Sequence, residues 1–350
     1  METKVVKIPP NRVEEFEKEL LEASEIIKRG GLVVFPTETV YGLGANALDE
    51  KAAEKIYSAK GRPSDNPLII HIANPEDYEK WCKVERVDLL EKITNRFVPG
   101  PITVIQKKKD IIPHTVTAGM DTVAVRIPSH KVARRLIELS GVPVAAPSAN
   151  TSGRPSPTRA EHVIQDLYGK VDMIIDSGEC EVGLESTIVM LKGDDVTLLR
   201  PGGVTLEELE ETLGKVKVDK GVFEKLKENE KPLAPGMKYR HYAPKASVIS
   251  LKGDEEKVIA FMKESLKDKG VGVICYREDT EHLPHDNRVV VLGSKSDTEE
   301  MAHRLFDCLR TFDSIPEIHT VYARLPEDDH IGLAVVNRLM KACGYTVKEL

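Results

Sequence analysis

Apolar and polar positions follow two periods along this chain, and each change of period marks a new element. Between residues 11 and 28 apolar side chains recur every three or four positions, which predicts a helix that Gly30 ends. Short apolar runs bounded by proline, glycine or polar residues predict strands at 32–35, 68–72, 102–106, 122–127, 142–146, 173–176, 187–191 and 196–199. Strands interleaved with helices indicate one α/β domain with a mixed sheet, roughly residues 10 to 200.

Helix ends are predicted from capping residues. Asp49 is placed to cap a helix that runs to Ala59, and Gly61 stands just past its end. Ser129 is placed to cap a helix that runs to Ser140. The patterns Thr158-x-x-Glu161 and Thr205-x-x-Glu208 both predict capping boxes.

A proline-rich, aromatic segment at 232–244 interrupts the alternation, and it is too irregular for a helix or a strand. After it, strands at 248–251, 271–275, 289–292 and 320–324 are separated by helices, which predicts a small parallel sheet covered on both faces. The predicted organisation is therefore a domain at 10–203, a helix and linker at 204–245, and a second α/β domain at 246–350.

Composition excludes several classes of protein. Apolar residues make up 41% of the chain, and no run of them is long enough to cross a bilayer. The net charge of −7 argues against a strong global attraction to nucleic acid. Five scattered cysteines form no C-x-x-C pair, so neither a zinc site nor a disulfide framework is indicated, and a cytoplasmic location fits.

The segment 42–47, Gly-Leu-Gly-Ala-Asn-Ala, matches the dinucleotide fingerprint G-x-G-x-x-A in letters only. The fingerprint requires its first glycine at a tight strand-to-helix turn, and here the polar segment 37–41 separates strand from glycines. There is also no Walker A sequence, so any triphosphate must be held in another way.

The densest polar loop is 60–67, Lys-Gly-Arg-Pro-Ser-Asp-Asn-Pro. Lys60 and Gly61 are explained equally well as the basic last turn and the left-handed cap of a helix. Arg62 and Asn66 lie on a proline-stiffened turn, and a fixed Lys and Arg together suit a polyphosphate. Spacing alone leaves the two interpretations even.

A second loop, at 147–157, follows the strand 142–146 and is rich in Ser, Asn, Gly and Pro. Small hydroxyl and amide side chains such as Ser148 and Asn150, at the end of a strand, make a good cradle for phosphate or ribose. Ordinary turns favour the same residue types, so this loop is open to both interpretations as well.

Two charged or titratable residues stand on predicted strands. Thr122 and Arg126 have the same parity and should share one face, where Arg126 needs a ligand or an ion-pair partner such as Glu38. His71 should point away from the face of its neighbours Ile70 and Ile72, and a lone strand histidine is more often structural than functional.

Together these segments resemble one known family. The run 36–43, Pro-Thr-Glu-Thr-Val-Tyr-Gly-Leu, with Lys60-Gly61-Arg62-Pro63, Ser148-Ala149-Asn150 and Pro99-Gly100-Pro101, is similar to the signature of the Sua5/YrdC/YwlC family. The linker run 238–244, Lys-Tyr-Arg-His-Tyr-Ala-Pro, resembles the longer Sua5 form, which carries a C-terminal Sua5 domain. The resemblance implies a YrdC-like twisted, open mixed-sheet domain followed by a small Rossmann-like parallel α/β domain.

The resemblance also implies an activity. The family combines L-threonine, bicarbonate and ATP into threonylcarbamoyl-adenylate and pyrophosphate, a nucleotidyl transfer that supplies the t6A modification of tRNAs reading ANN codons. It implies Mg²⁺ with ATP, no tightly bound metal site in the protein, and hand-off of the product to a tRNA threonylcarbamoyltransferase complex, with weak tRNA contact left open.

Roles carry over residue by residue from the resemblance. The implied catalytic residues, which neutralise the triphosphate, are Lys60 and Arg62. The implied ATP contacts are Arg62, Asn66, Thr122, Ser148, Asn150, Ser156, Arg200, Tyr239 and Tyr242, the two tyrosines acting as a lid. The implied L-threonine pocket is formed by Thr39, His71, Arg126, Ala146 and Ser186. No general base is assigned.

Two other functions compete with this one. An RNA-binding module would use the local basic clusters 107–109 and 134–135, but no aromatic stacking motif accompanies them. A carbamoyl transferase with another acceptor would reuse the first domain, and the second domain in place of a transferase module argues against it.

Overall fold

A computed structural model describes residues 2–225, 232–236 and 241–350 of the chain. The contacts divide it into two compact units. Unit 1 holds residues 2–152, 157–181, 185–225 and 232–236, and unit 2 holds 153–156, 182–184 and 241–350. Two short loop segments, 153–156 and 182–184, therefore belong to unit 2 although they lie between stretches of unit 1 in the sequence. The predicted boundaries after 203 and 245 stay predictions.

Unit 1 is built from short strands and helices. Its strands are β1 Lys4–Lys7, β2 Val33–Phe35, β3 Gly42–Asn46, β4 Ile69–His71, β5 Cys82–Lys83, β6 Ile102–Lys108, β7 Thr122–Arg126, β8 Val144–Ala145, β9 Met173–Asp176, β10 Thr187–Lys192, β11 Asp195–Arg200 and β12 Lys217–Val218. Its helices are α1 Glu17–Lys28, α2 Glu50–Lys60, α3 Tyr78–Trp81, α4 Val87–Phe97, α5 His114–Thr117, α6 Lys131–Ser140, α7 Ala160–Leu167 and α8 Leu206–Leu213. Single 3₁₀ turns lie at Val13–Phe16, Pro75–Asp77 and Lys220–Val222.

The strands of unit 1 form one mixed sheet, as the patterning predicts. Their order is β1-β9-β2-β3-β8-β4-β7-β6-β10-β11-β12, with β5 paired to β6. Parallel pairs such as β4 with β7 alternate with antiparallel pairs such as β7 with β6. One face of the central strands buries Ile70, Val104, Val123 and Val125 in the main core. The opposite face is lined by a smaller cluster that includes Ile69, Ile105 and Ala124.

Several predicted helix ends are confirmed, and two are wrong. The Asp49 side chain accepts from the Lys51 amide, and Gly61 takes the left-handed conformation at φ 60°. Thr205 and Glu208 form the predicted capping box. Ser129 does not cap α6, because the helix begins at Lys131 and His130 occupies the N-cap position. Thr158 forms no capping box, since α7 begins after Arg159.

Some elements carry no readable pattern in the sequence. The segment Gly42–Asn46 forms strand β3, antiparallel to β2, although glycines are poor strand formers. Gly44 is required there, because a Cβ would lie 2.7 Å from the Phe35 ring. The glycine-rich segment is therefore a packed strand, which agrees with the rejection of a dinucleotide-binding turn. The helix predicted over 11–28 begins as a 3₁₀ turn before α1.

Unit 2 is a separate parallel α/β layer. Its strands are β13 Ser247–Lys252, β14 Val271–Tyr276, β15 Val289–Gly293, β16 Thr320–Arg324 and β17 Val347–Glu349. Its helices are α9 Glu255–Ser265, α10 Thr298–Thr311 and α11 Gly332–Ala342, with 3₁₀ turns at Glu278–His282 and Phe312–Ser314. The strand order is β15-β14-β16-β13-β17, and every neighbouring pair is parallel. This confirms the small Rossmann-like second domain.

The helices of the described residues are too short or too polar to cross a membrane. The longest of them, α10, has fourteen residues and carries acidic side chains in its first turn. This agrees with the sequence, in which no apolar run reaches the length that a bilayer requires.

Candidate active site

The two polar loops that the sequence singled out meet at one side chain. Lys60, the last residue of α2, is only 2% exposed, and its ammonium donates to the backbone carbonyls of Ser148 and Asn150. The Ser148 hydroxyl donates to the Asn150 side-chain oxygen at 2.6 Å, and that oxygen lies 3.4 Å from Nζ of Lys60. The helix-cap interpretation of Gly61 is confirmed, and Lys60 in addition joins the 60–67 loop to the 147–157 loop.

The turn after α2 presents a second cation. The Arg62 guanidinium donates to the carbonyls of Asn66 (3.3 Å) and Pro67 (2.9 Å), so the turn folds around it. The Tyr57 hydroxyl also donates to the Asn66 carbonyl. A cavity of about 690 Å³ opens beside Arg62, lined also by Tyr57, Ser64 and His114. Asn66 is buried, and within the described residues its side-chain oxygen has no hydrogen-bond partner.

A row of polar residues crosses the open face of the sheet. His71 at the end of β4 pairs in register with Arg126 at the end of β7, and Arg126 pairs with Thr103 of β6. Residues in register point to the same side of a sheet, so these three side chains lie side by side. Thr122 lies on the same face, four residues before Arg126 on β7. The predicted shared face of Thr122 and Arg126 is confirmed.

Two buried nitrogen atoms in this row form no hydrogen bond to the described residues. Both His71 and Arg126 are buried, at 3% and 4% exposure. Within the part of the chain that the structure describes, Nδ1 of His71 and Nε of Arg126 have no hydrogen-bond partner. Leaving such groups unsatisfied costs about 1–3 kcal/mol each. These two buried nitrogens on one face of the sheet are therefore available to a ligand.

Glu38 is the residue whose importance the sequence understated. It follows β2 and forms a buried ion pair with Arg126 at 2.7 Å, the partnership suggested as one alternative from the sequence. Thr103 was not singled out at all, because a threonine on a strand gives no signal of its own. The only hint for Glu38 is a carboxylate in the otherwise uncharged run 36–43.

A second chain of polar contacts continues the row toward β11. The Ser186 hydroxyl lies 2.7 Å from the Thr103 hydroxyl. The Arg200 guanidinium donates to both the carbonyl (3.1 Å) and the hydroxyl (3.2 Å) of Ser186. Arg200 is 4% exposed, so it is not the surface charge that a strand-end arginine suggests. Arg200 and Arg126 thus flank Thr103 and Ser186 on one face.

The described start of the linker, residues 232–236, lies on this same face. Ala234 is fully buried in the cluster with Ile69, Ile105 and Ala124. The Pro235 carbonyl accepts from the Arg200 guanidinium at 3.3 Å. This part of the linker therefore covers the apolar portion of the face beside the polar row.

The remaining implied residues fall into three groups. Thr39 is fully buried in the turn after β2, with its hydroxyl 2.8 Å from that of Thr37, and the Ala146 N–H donates to the Ile69 carbonyl at 2.9 Å. Ser156 and Tyr242 belong to unit 2, where the Tyr242 ring packs 5.1 Å from the Phe306 ring. Tyr239 lies outside the described residues, so the lid role of the two tyrosines stays a prediction.

Charge on this site comes from guanidinium and ammonium groups. In the described ranges, no group of three or more His, Cys, Asp or Glu side chains could hold a metal ion. The basic clusters invoked for RNA binding are partly used internally: the Lys108 ammonium is buried on the Ile112 carbonyl, and Arg135 pairs with Glu17 and Glu138. The arrangement suits binding of carboxylate and phosphate more than a nucleic-acid surface.

His71 should give the protein a measurable pH dependence. Burial, and secondarily the charge of Arg126, lower the pKa of His71 to about 3. Between pH 6.5 and 3 the unfolded chain therefore binds a proton that the folded chain does not, so stability is lost as the pH falls through that window. His71→Gln should reduce the loss of unfolding free energy between pH 7 and pH 5 by about 2 kcal/mol.

Urea denaturation at the two pH values measures this effect. The exposed His285 provides a matched control, because His285→Gln makes the same change of side chain outside the core. If both variants show the same loss between pH 7 and pH 5, His71 is not the buried neutral histidine described above.

Comparison with known proteins assigns the family. A model of Sua5, YciO and YrdC proteins, described as "Telomere recombination", matches residues 25–202, and a second, described as "Threonylcarbamoyl-AMP synthase, C-terminal domain", matches residues 204–344. The chain belongs to the Sua5/YrdC/YciO family. Its C-terminal match places it with the Sua5 members that carry the second domain, as the linker motif predicts.

Full-length Sua5 relatives support this assignment. The chain is 48% identical to a threonylcarbamoyl-AMP synthase of Pyrococcus abyssi over 344 residues, 96% of each protein. It is 44% identical to a threonylcarbamoyl-AMP synthase of Bacillus subtilis over 93% of each. The crystal structure of P. abyssi Sua5 complexed with L-threonine matches with a TM-score of 0.89 and 44% identity over the whole of both chains. The predicted twisted mixed sheet and parallel second domain are the Sua5 fold.

Proposed function

We propose that this chain is a threonylcarbamoyl-AMP synthase, which converts L-threonine, bicarbonate and ATP into threonylcarbamoyl-adenylate and pyrophosphate. The observation that carries the proposal is the buried row of His71 and Arg126, with unsatisfied nitrogens, in a chain that matches relatives of that name along its full length. The finer class, a nucleotidyltransferase, follows from transfer of the adenylyl group to the carbamate.

The row on the sheet face is the place for threonine. A guanidinium binds a carboxylate through charge-assisted hydrogen bonds, so Arg126 is assigned the threonine carboxylate. His71 is neutral over the physiological pH range, because burial lowers its pKa to about 3, and it adds a hydrogen bond without a second charge. Thr39, Ala146 and Ser186 complete the proposed pocket around this row.

The two joined loops are the place for ATP. Bicarbonate takes up a proton and loses water to give CO₂, and the threonine amine then adds to CO₂ and releases a proton, so that a carbamate forms and one water leaves. A carbamate oxygen then attacks the α-phosphorus, and the bond to the β-phosphate bridging oxygen breaks to release pyrophosphate. Lys60 and Arg62 offset the charge of the triphosphate, and the loop of Ser148 and Asn150 positions the nucleotide. Mg²⁺ enters with ATP as part of the substrate, and the chemistry requires no protein nucleophile.

The first test is direct synthesis. Purified full-length protein is incubated with ATP, Mg²⁺, bicarbonate and L-threonine, and pyrophosphate and the adenylate are followed by mass spectrometry. Both products should form in equal amounts, and neither should form when threonine is omitted. Folded protein that yields neither product under these conditions contradicts the proposed function.

The chemistry of the product indicates which class of reaction consumes it. A mixed carbamic–phosphoric anhydride is an activated acyl donor, so a transferase that places the threonylcarbamoyl group on a tRNA adenosine is the expected consumer. The expected location is the cytoplasm, where ATP and unmodified tRNA are both present. Mixing the protein with such a transferase and tRNA should convert adenosine to t6A only when threonine is supplied.

A further inference from the structure

Glu38 is positioned to control a neighbouring side chain and not to react. Its carboxylate is 4% exposed. One oxygen accepts from the Arg126 guanidinium at 2.7 Å, and the other accepts from the Ser129 N–H at 3.1 Å. Both oxygens are thus occupied by groups of the chain itself. A general base needs an oxygen directed at the substrate, so this carboxylate does not fit that role.

The pair ties together segments that are distant in sequence. Glu38 follows β2, Arg126 ends β7, and Ser129 precedes α6. An isolated arginine has several rotatable bonds, and fixing it in one rotamer costs up to about 2 kcal/mol of entropy. Because the Glu38 carboxylate is itself held by the Ser129 N–H, the rotamer entropy of Arg126 is already lost before any ligand binds. Arg126 is therefore held in one orientation by Glu38.

The orientation leaves a specific edge of Arg126 available. Glu38 accepts from Nη2, while Nε remains buried without a hydrogen-bond partner among the described residues. A ligand acceptor is needed at that nitrogen, because an unsatisfied buried donor is costly. The neighbouring His71, with Nδ1 also unsatisfied, faces the same place.

From this geometry we infer that Glu38 is a positioning residue that presents the Nε–H group of Arg126 to the carboxylate of the amino-acid substrate. The inference rests on the proposed function for the identity of that substrate. Glu38 also balances the charge of Arg126, so that this guanidinium is not an uncompensated buried cation.

Glu38→Gln tests the inference with little change in shape. The amide keeps one oxygen acceptor but places an NH₂ group against either Arg126 or Ser129, which both donate. Arg126 should then leave its fixed orientation. The KM for L-threonine should rise at least tenfold, whereas the KM for ATP should stay within twofold of the wild type. A role that is only structural would change both constants together.

A matched control is available on the surface of the same unit. Glu17→Gln removes a carboxylate from the half-buried pair with Arg135 and should leave both KM values unchanged. If folded Glu38→Gln protein, checked by circular dichroism, keeps the wild-type KM for threonine, the inference is overturned. Equal increases in both KM values overturn it as well.

A second measurement does not depend on the reaction. The side-chain Nε–H signal of Arg126 in a ¹⁵N-correlated NMR spectrum is assigned by its loss in Arg126→Lys. In the wild type a fixed, buried guanidinium should give a sharp signal that is protected from exchange. In Glu38→Gln it should shift and broaden, and an unchanged signal contradicts the inference. A wild type that lacks synthase activity but shows this behaviour overturns the proposed function alone.

Discussion

Replacing Lys60 by methionine should lower the rate of pyrophosphate release by about 10²- to 10³-fold, the usual cost of removing one preorganised charged donor from a transition-state site. Methionine fills a similar volume without the ammonium. In the wild type that ammonium holds the carbonyls of Ser148 and Asn150 together. Its loss therefore removes a positive charge from the proposed triphosphate site and releases the loop that positions the nucleotide.

The Lys60→Met variant should also have a lower free energy of unfolding than the wild type. The methionine variant leaves buried carbonyl acceptors without a donor, which costs about 1–3 kcal/mol. Activity is therefore compared at a temperature at which both proteins are fully folded. Lys55→Met is the matched control, because Lys55 lies on the same helix and its ammonium donates to the Gly30 carbonyl from an exposed position.

The Lys60 prediction separates two roles. If Lys60 only closes the loop, high ATP concentration should restore most of the rate, since the loop then assembles around the nucleotide. If it also offsets charge in the transition state, the rate at saturating ATP stays low. Full activity of Lys60→Met at ordinary ATP concentrations would rule out both roles.

The sequence predicts local features of this site better than it predicts their assembly. The cap at Gly61 follows from a helix that must end, and the common face of Thr122 and Arg126 follows from strand parity. Both depend on neighbours in sequence. The contact from Lys60 to the Ser148–Asn150 loop spans about ninety residues, and no periodicity encodes it. Only the resemblance of the combined motifs to a family placed the two loops in one site.

Predictions from neighbouring residues failed where residues distant in sequence make a contact. Ser129 has the right residue type for a helix cap, but α6 begins one residue later, after His130, and the Ser129 N–H donates to Glu38, 91 residues away in sequence. Gly42–Asn46 has few strand-forming side chains, yet it pairs with β2 and β8, and a Cβ at Gly44 would lie 2.7 Å from the Phe35 ring. Both exceptions lie beside the proposed pocket, where local preference yields to function.

Substitution of Arg126 should lower both the free energy of unfolding and the activity, and a second substitution should restore only the free energy of unfolding. Arg126→Met leaves the Glu38 carboxylate buried without a cation, and breaking a buried pair in this way costs about 3–5 kcal/mol. The same change removes the partner proposed for the threonine carboxylate. Both the free energy of unfolding and threonine-dependent pyrophosphate release should therefore fall, the latter by at least about 10²-fold.

The double variant Glu38→Gln/Arg126→Met distinguishes the two losses. The glutamine carries no charge and still accepts from the Ser129 N–H, so most of the lost unfolding free energy should return, as expected when a buried ion pair is replaced whole. Activity should not return, because no guanidinium remains to bind the substrate. Urea denaturation and the pyrophosphate assay on the same samples measure both quantities.

The pair of Arg135 and Glu17, which is open to solvent on one side, sets the scale for comparison, since Arg135→Met should cost only about 0–1 kcal/mol and leave the rate unchanged. If Arg126→Met is no more destabilising than Arg135→Met, the buried ion pair does not have the energetic weight argued here. If the double variant regains activity along with stability, Arg126 acts only in folding. The threonine carboxylate must then be bound by another cation of the site. The next cation along the row, beyond Thr103 and Ser186, is Arg200.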